Sequence, residues 1–114
     1  MIVMGPLSSR ARSEGELLLQ WQLDVAGMGH RYIIEHEFCE RKWRLDFYFP
    51  VEKLAVEVEG GTWAMGRHNR GKGFEEDCVK YARLAIMGNR LIRVTTGQVT
   101  SGMALQWIEE ALAG

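Results

Sequence analysis

The 114-residue sequence predicts an α/β protein in which helices pack on a mixed β-sheet. Three features support this prediction: an amphipathic stretch behind a helix-capping motif, a run of alternating apolar and polar residues, and a helical stretch between the last two strands. The expected order of elements is α-β-β-β-α-β-α. Because a helix separates the third and fourth strands, these two strands are expected to run parallel through a right-handed crossover.

The first helix is predicted to begin after Ser13. Ser13 and Glu16 form a capping-box pattern, in which the serine side chain caps the helix and the glutamate side chain returns the bond. Four apolar residues then share one helical stripe: Leu17, Leu18, Trp21 and Val25. This stripe is expected to face the core, and Trp43 and Trp107 are expected to be core residues on later apolar stripes.

Three strands joined by short links should follow as an antiparallel meander. Residues 32–38 predict the first strand, and residues 43–49 predict the second by alternation over seven residues. In the second strand four apolar residues should share one face: Trp43, Leu45, Phe47 and Phe49. In the third strand Leu54, Val56 and Val58 form the apolar face, which leaves Glu57 and Glu59 on the other face.

The second half of the domain should hold the remaining helices and the last strand. A glycine-rich loop over residues 60–73 precedes a helix that starts near Phe74 and ends at Gly88. The residues expected to face inward on this helix are Phe74, Cys78, Tyr81 and Ala85. Residues 91–94 predict a short strand, and Ser101 is the expected cap of the last helix.

The composition is that of one globular domain. Hydrophobic residues make up 46% and charged residues 25% of the chain, which argues against disorder. No stretch approaches the ~18 apolar residues of a membrane span, and residues 1–12 lack the apolar run of a signal peptide. We therefore expect a flexible arm at 1–12, one domain at 13–114, and a cytoplasmic protein without membrane contact. Cys39 and Cys78 should be reduced and buried.

The glycine-rich loop is also basic. The net charge is −1, but residues 67–93 carry +4 from seven basic and three acidic residues. Trp63 lies close to Arg67, Arg70 and Lys72, and an aromatic ring among basic residues suits base stacking with phosphate contacts. This pattern predicts DNA binding by the loop. The alternatives are a solvated charged face and a tryptophan that covers the sheet edge.

Two carboxylates should meet across the hairpin of the second and third strands. Asp46 lies on the polar face of the second strand, and a hairpin around residues 50–53 brings it near Glu57. Paired carboxylates repel unless a positive charge lies between them, and Mg²⁺ prefers such oxygen ligands. The alternative is a set of half-exposed ion pairs, Asp46 with Arg44 or Arg93 and Glu57 with Lys53 or Arg90.

The spacing of Asp46 and the segment Glu57–Gly60 resembles the motif of the PD-(D/E)XK nuclease superfamily. More narrowly, residues 44–50 and 54–61 are similar to very-short-patch-repair-like and DUF559-like endonucleases, including small phage-encoded members. The resemblance covers roughly residues 13–96. It implies a restriction-endonuclease-like αβββαβ core and an Mg²⁺-dependent DNA endonuclease, with Mn²⁺ as a substitute.

The resemblance also assigns roles to residues of the site. It makes Asp46, Glu57 and the Val58 carbonyl the metal ligands, and it places Glu59 where many members carry a lysine that orients the attacking water. Lys80 is expected to supply the missing cation. The alternative for Lys80 is a solvated helix residue paired with Glu76.

Two further residues match the family. Glu16 corresponds to a first-helix glutamate that reaches the metal through water, although the capping box competes for the same side chain. His68 resembles a histidine that can move protons near neutral pH, and its alternative is a simple phosphate contact.

The sequence thus predicts an endodeoxyribonuclease that leaves 5′-phosphate and 3′-hydroxyl ends, as the resemblance implies. Its role would lie in repair or recombination, by nicking a damaged or branched duplex, or by resolving Holliday junctions as a homodimer. A catalytically inactive nucleic-acid-binding module with the same fold is the alternative, since Glu59 replaces the usual lysine. A protein-binding adaptor is a third hypothesis, which no particular feature favours.

Overall fold

The computed structural model describes residues 12–41, 43–59 and 72–114. The predicted loop residues Trp63, Arg67, His68 and Arg70 lie outside the described residues, as do residues 1–11 of the predicted arm and the side chain of Lys72. The predictions for these positions therefore stay predictions.

The described residues alternate between helices and strands much as the sequence predicts. The elements are α1 (Glu14–Val25), β1 (Ile33–Glu37), β2 (Arg44–Phe49), β3 (Leu54–Glu59), α2 (Lys72–Ile86), β4 (Arg90–Thr95), α3 (Thr96–Thr100) and α4 (Met103–Ala113). The short helix α3 is an addition that the sequence analysis missed. Thr95 caps it by accepting from the Gln98 N–H, and the Gln98 side chain returns the bond. The N-cap of α4 is Gly102, one residue after Ser101, so the prediction of Ser101 as the cap is wrong.

The four strands form one mixed sheet in the order β1-β2-β3-β4. β1 and β2, and β2 and β3, pair antiparallel, whereas β3 and β4 pair parallel. Helices lie on the sheet, so the predicted mixed α/β architecture and the parallel pairing of the last two strands are confirmed.

Each face of the sheet has its own hydrophobic cluster. One face carries Phe47, Phe49 and Val56 against the buried side chains of α1, α3 and α4. The other face carries Ala55, against which Leu84 of α2 packs. Helix α2 thus lies on the opposite face of the sheet from the other helices. Because successive side chains of a strand point to opposite faces, alternate residues of β3 face α2 and the other helices in turn.

The predicted inward stripe of α1 is wrong apart from Leu18, which packs against the core. Leu17, Trp21 and Val25 are 52%, 63% and 68% exposed, whereas Leu19 and Leu23 are fully buried. The reason is the close contact at Gly15, where an added Cβ would lie 2.8 Å from Thr96 Oγ1 and 3.0 Å from Val58. This contact turns the face of Gly15 toward the core, and the face that carries Trp21 turns outward.

The predicted inward face of α2 is also wrong, apart from Tyr81. Phe74 is 61% exposed, and Cys78 and Ala85 are exposed as well. Leu84 is the buried residue, so the face that meets the sheet is rotated from the predicted one. The prediction that Trp107 is a core residue is wrong too, because it is 37% exposed, whereas Trp43 is half-buried and packs against the cluster on the α2 side.

The cysteines are unpaired, as predicted, but they are less buried than predicted. Cys39 and Cys78 are both free thiols. Cys39 is half-buried and Cys78 is exposed, since it lies on the outward face of α2. The expectation of two buried thiols is therefore wrong.

Strand β2 changes face at Asp46. Phe47 and Phe49 pack in the cluster on the α1 side, whereas Leu45 packs with Ala55 in the cluster on the α2 side. A regular strand would keep Leu45 on the same face as Phe47. The predicted common face of the second strand therefore ends at Phe47, and the strand turns over at the acidic residue itself.

Candidate functional site

The backbone ladders on both sides of β2 are interrupted at Asp46. The described β2–β3 register runs from Phe49 opposite Leu54 to Phe47 opposite Val56. On the other side, the β1–β2 register skips the position at which Glu35 faces Asp46. Glu35 has φ of +53°, in the left-handed region that non-glycine residues rarely adopt. This backbone conformation explains why β2 turns over at its neighbour.

Side-chain carboxylates replace the missing ladder bonds between β2 and β3. The Asp46 N–H donates to Glu57 Oε2 at 3.1 Å, and the Val58 N–H donates to Asp46 Oδ2 at 2.8 Å. Each carboxylate thus accepts a backbone N–H of the opposite strand. Asp46 and Glu57 lie side by side across the hairpin, as the strand pattern predicts.

Glu57 has partners from α2. Its carboxylate is buried, and its Oε1 accepts from Lys80 Nζ at 3.0 Å and from the Tyr81 hydroxyl at 2.8 Å. Lys80 therefore pairs with Glu57 and not with Glu76. The alternative pairing of Glu57 with Lys53 or Arg90 is wrong, because those side chains contact backbone carbonyls at the other end of the strand.

Tyr81 links Glu57 to a second ion pair. Burial and the Glu57 carboxylate raise the pKa of the Tyr81 phenol, so the hydroxyl stays protonated near neutral pH and acts as a donor. The guanidinium of Arg93 lies 4.8 Å from the centre of the Tyr81 ring, and its Nε donates to Glu59 at 3.0 Å. That hydrogen bond raises the pKa of Arg93.

The predicted alternative partners of Asp46 are therefore engaged elsewhere. Arg93 pairs with Glu59, and Arg44 pairs with Glu37 at 3.3 Å. Glu59 pairs with an arginine on the neighbouring strand, which offsets its negative charge.

Asp46 belongs to a cluster of three carboxylates. One oxygen of each of Glu16, Glu35 and Asp46 lies within 4.8 Å of the others. Glu16 is 3% exposed, and its Oε1 accepts from Arg12 Nε at 3.4 Å. The Ser13 hydroxyl accepts from the Glu16 N–H at 3.2 Å, so Ser13 caps α1 while the Glu16 side chain faces the cluster. The predicted Ser13 cap is confirmed, and the predicted contact of Glu16 with a metal stays a prediction.

Glu35 is a site residue that the sequence analysis missed. It lies in β1, directly opposite Asp46 in the antiparallel register. Alternation in residues 32–38 does put Glu35 on the polar face of its strand, and this signal could have found it. The sequence does not reveal the turned backbone at Glu35 that accompanies its place in the cluster.

Three carboxylates at this separation suit a divalent metal ion. Mg²⁺ and Mn²⁺ are bound by hard oxygen donors, and a few carboxylates with water complete their coordination. The cluster opens into a cleft of about 400 Å³. Its lining is mostly charged and consists of Glu16, Trp43, Arg44, Asp46, Glu57, Val58, Glu59, Asp77, Lys80 and Tyr81. Asp77 is a further lining residue to which the sequence analysis gave no role.

Comparison with known proteins identifies a shared fold. No protein-family model matches the sequence, and no curated protein matches it. The structure is similar to the catalytic domain of the homing endonuclease I-Bth0305I, with a TM-score of 0.65 and 23% sequence identity. The match covers 90% of this chain and 96% of that domain. Among the described residues no helix is long and apolar enough to cross a membrane.

Proposed function

We propose that the protein is a divalent-metal-dependent DNA endonuclease. The observation that carries the proposal is the acidic cleft, in which Glu16 and Asp46 lie with the Glu57–Lys80 pair, while Glu35 completes the carboxylate cluster next to it. The similarity of the fold to a homing endonuclease catalytic domain supports it. The same arrangement agrees with the resemblance of the sequence to the PD-(D/E)XK superfamily.

Asp46 is the central metal ligand in this proposal. Glu16 and Glu35 are its partners from α1 and β1, and Glu57 with the Val58 carbonyl are its partners on β3. A bound Mg²⁺ or Mn²⁺ would activate a water molecule and offset the charge that develops on the scissile phosphate. The backbone N–H of Val58 fixes Asp46 Oδ2, so the carboxylate is oriented before any ion binds.

We propose that Lys80 performs the role of the lysine that many members of the resembled superfamily carry at the position of Glu59. Its ammonium lies 3.0 Å from Glu57 and is 14% exposed, so it is held at the cleft by α2. We propose that Lys80 orients the attacking water or the scissile phosphate, and that Glu59 acts only through Arg93. An oriented cation of this kind supplies a few kcal/mol of transition-state stabilisation.

The substrate is proposed to be a nicked, mismatched or branched DNA duplex, with 5′-phosphate and 3′-hydroxyl products. Repair and recombination are the corresponding roles, and a homodimer would suit a four-way junction. His68 is proposed as a proton carrier, and the loop residues Trp63, Arg67, Arg70 and Lys72 as DNA contacts.

The test is cleavage of a supercoiled plasmid and of labelled nicked, branched and intact duplexes with Mg²⁺, with Mn²⁺ or with EDTA. The wild type should cleave only with metal. Asp46→Asn and Glu57→Gln should each abolish cleavage with an unchanged circular dichroism spectrum, because several kcal/mol of stabilisation is a factor of at least about 100 in rate. Glu109→Gln, a change at an exposed acid on α4, is the matched control and should be fully active.

Full activity of Asp46→Asn, or undiminished wild-type cleavage in excess EDTA, would overturn the metal role. Salt-sensitive DNA binding without cleavage under any metal would favour the inactive binding module instead. The replacement of the usual lysine by Glu59 is the feature behind that second candidate.

A further inference from the structure

We propose that Arg41 is a preorganised phosphate contact that holds DNA at the mouth of the acidic cleft, with Trp43 as its platform. The inference rests on the proposed function and adds a substrate contact outside the acidic cluster. It concerns Arg41, in the turn between β1 and β2, which has no part in the site described above.

Stacked rings hold the Arg41 guanidinium in place. Its central carbon lies 4.6 Å from the centre of the Trp43 ring. The ring of Trp43 is itself stacked with that of Phe38, at 6.5 Å between centres and 25° between planes. Phe38 is 9% exposed and belongs to the cluster on the α2 side of the sheet, so the platform is anchored in the core.

The side chain of Arg41 is exposed, and it has no acidic partner among the described residues. Arg31 pairs with Glu52, and Arg44 pairs with Glu37 across the strand ends that flank the turn. A guanidinium that a ring orients and no carboxylate neutralises keeps its full charge and its planar set of donors for a ligand. This combination distinguishes Arg41 from the arginines that lie in ion pairs.

The position of the platform explains why the ligand would be DNA phosphate. Trp43 lines the same cleft as Asp46 and Glu57, and Arg41, which lies over the Trp43 ring, is therefore next to the cleft. In the absence of a metal ion the carboxylates of the cleft repel a polyanion, so the binding of a duplex there depends on cations outside the cluster. Because the stacked guanidinium is already oriented, binding a phosphate costs less side-chain entropy than it would for a free arginine.

The test is DNA affinity of the full-length protein in EDTA, which blocks turnover. The dissociation constant for a short labelled duplex is measured over a series of KCl concentrations. Arg41→Ala should weaken binding and lower the slope of log affinity against log salt by about 1, the value for one phosphate contact. Arg41→Lys should keep the slope and still weaken binding, because lysine retains the charge and loses the planar stack.

Two further variants make the test specific. Lys53→Gln removes an exposed cation at the β2–β3 turn, the opposite end of the sheet from the cleft, and should change neither affinity nor slope. Trp43→Leu should weaken binding in the wild-type background and have no effect in the Arg41→Ala background, because the ring acts only through Arg41. If Trp43→Leu does not fold, the two Arg41 variants decide the question.

An unchanged slope for Arg41→Ala, or an equal loss from Lys53→Gln, would overturn the inference. Such a result leaves the proposed function intact if the wild type still cleaves DNA. Failure of the wild-type protein to bind DNA at any salt concentration would instead overturn the proposed function, and the two failures are therefore distinguishable.

Discussion

The two walls of the cleft balance their charge in different ways. On the β3–α2 wall, Glu57 accepts hydrogen bonds from Lys80 and Tyr81, so one carboxylate meets one cation and one hydroxyl. On the α1–β2 wall, Glu16 and Asp46 form a cluster with Glu35 of β1, and one oxygen of each lies within 4.8 Å of the others. Arg12 Nε donates to Glu16 Oε1 there, at 3.4 Å.

In the proposed function, this difference separates metal binding from the chemical step. Carboxylates that crowd together are relieved by a divalent ion, so the wall with Glu16, Glu35 and Asp46 should determine the affinity for metal. A carboxylate that already has a lysine partner gains less from the ion, and the Glu57–Lys80 pair should chiefly determine the rate of the chemical step.

Glu35→Gln should have the largest effect among the variants that test this division. The change removes one charge from the crowded wall, so the metal concentration for half-maximal cleavage should rise about 100-fold. Mn²⁺ titration followed by calorimetry gives the same affinity without DNA. An unchanged metal affinity would show that Glu35 is not part of the metal site.

Lys80→Ala should lower the turnover rate at least about tenfold, while metal affinity and DNA affinity change little. The reason is that Lys80 acts on the water or phosphate and lies on the wall that contributes less to metal affinity. Single-turnover kinetics at saturating metal, with DNA binding measured in parallel, separate the two effects. Loss of DNA affinity alone would make Lys80 an ordinary phosphate contact.

Tyr81→Phe should have a smaller effect, about 1 kcal/mol, which is about fivefold in rate. It removes the hydroxyl that donates to Glu57 and keeps the ring over which Arg93 lies. Denaturant unfolding and turnover measured on the same preparation report the effects on stability and on the site. A loss as large as that of Lys80→Ala would assign the tyrosine a direct part in the chemistry.

Glu59→Gln should have the smallest effect, with turnover within about threefold of the wild type. Glu59 and Arg93 are each 44% exposed, and exposed ion pairs contribute little to stability. Arg93→Gln is the matched variant and should behave alike if the two residues act as one unit. Abolished cleavage in Glu59→Gln, at full DNA affinity, would instead make Glu59 a catalytic residue.

The sequence predicts the sheet better than the helix faces, and the reason lies in the pattern. In β3 each position alternates between two chemically distinct faces, so Val56 and Glu57 can be assigned to opposite sides. In α1 apolar residues occur on two stripes, one with Leu17 and Trp21 and one with Leu19. Periodicity alone gives no means of choosing between them, and the close approach at Gly15 makes the choice.

By itself the sequence determined the α/β architecture, the β2–β3 hairpin and the adjacency of Asp46 and Glu57, because these depend on local alternation and short connections. Only the tertiary structure decided which carboxylates share a cluster and which of them pairs with Lys80. Glu35 reaches Asp46 where its left-handed backbone interrupts the ladder, and Lys80 reaches Glu57 because Leu84 docks α2 on the sheet. Both contacts join residues from different elements, and their formation depends on how those elements pack against each other.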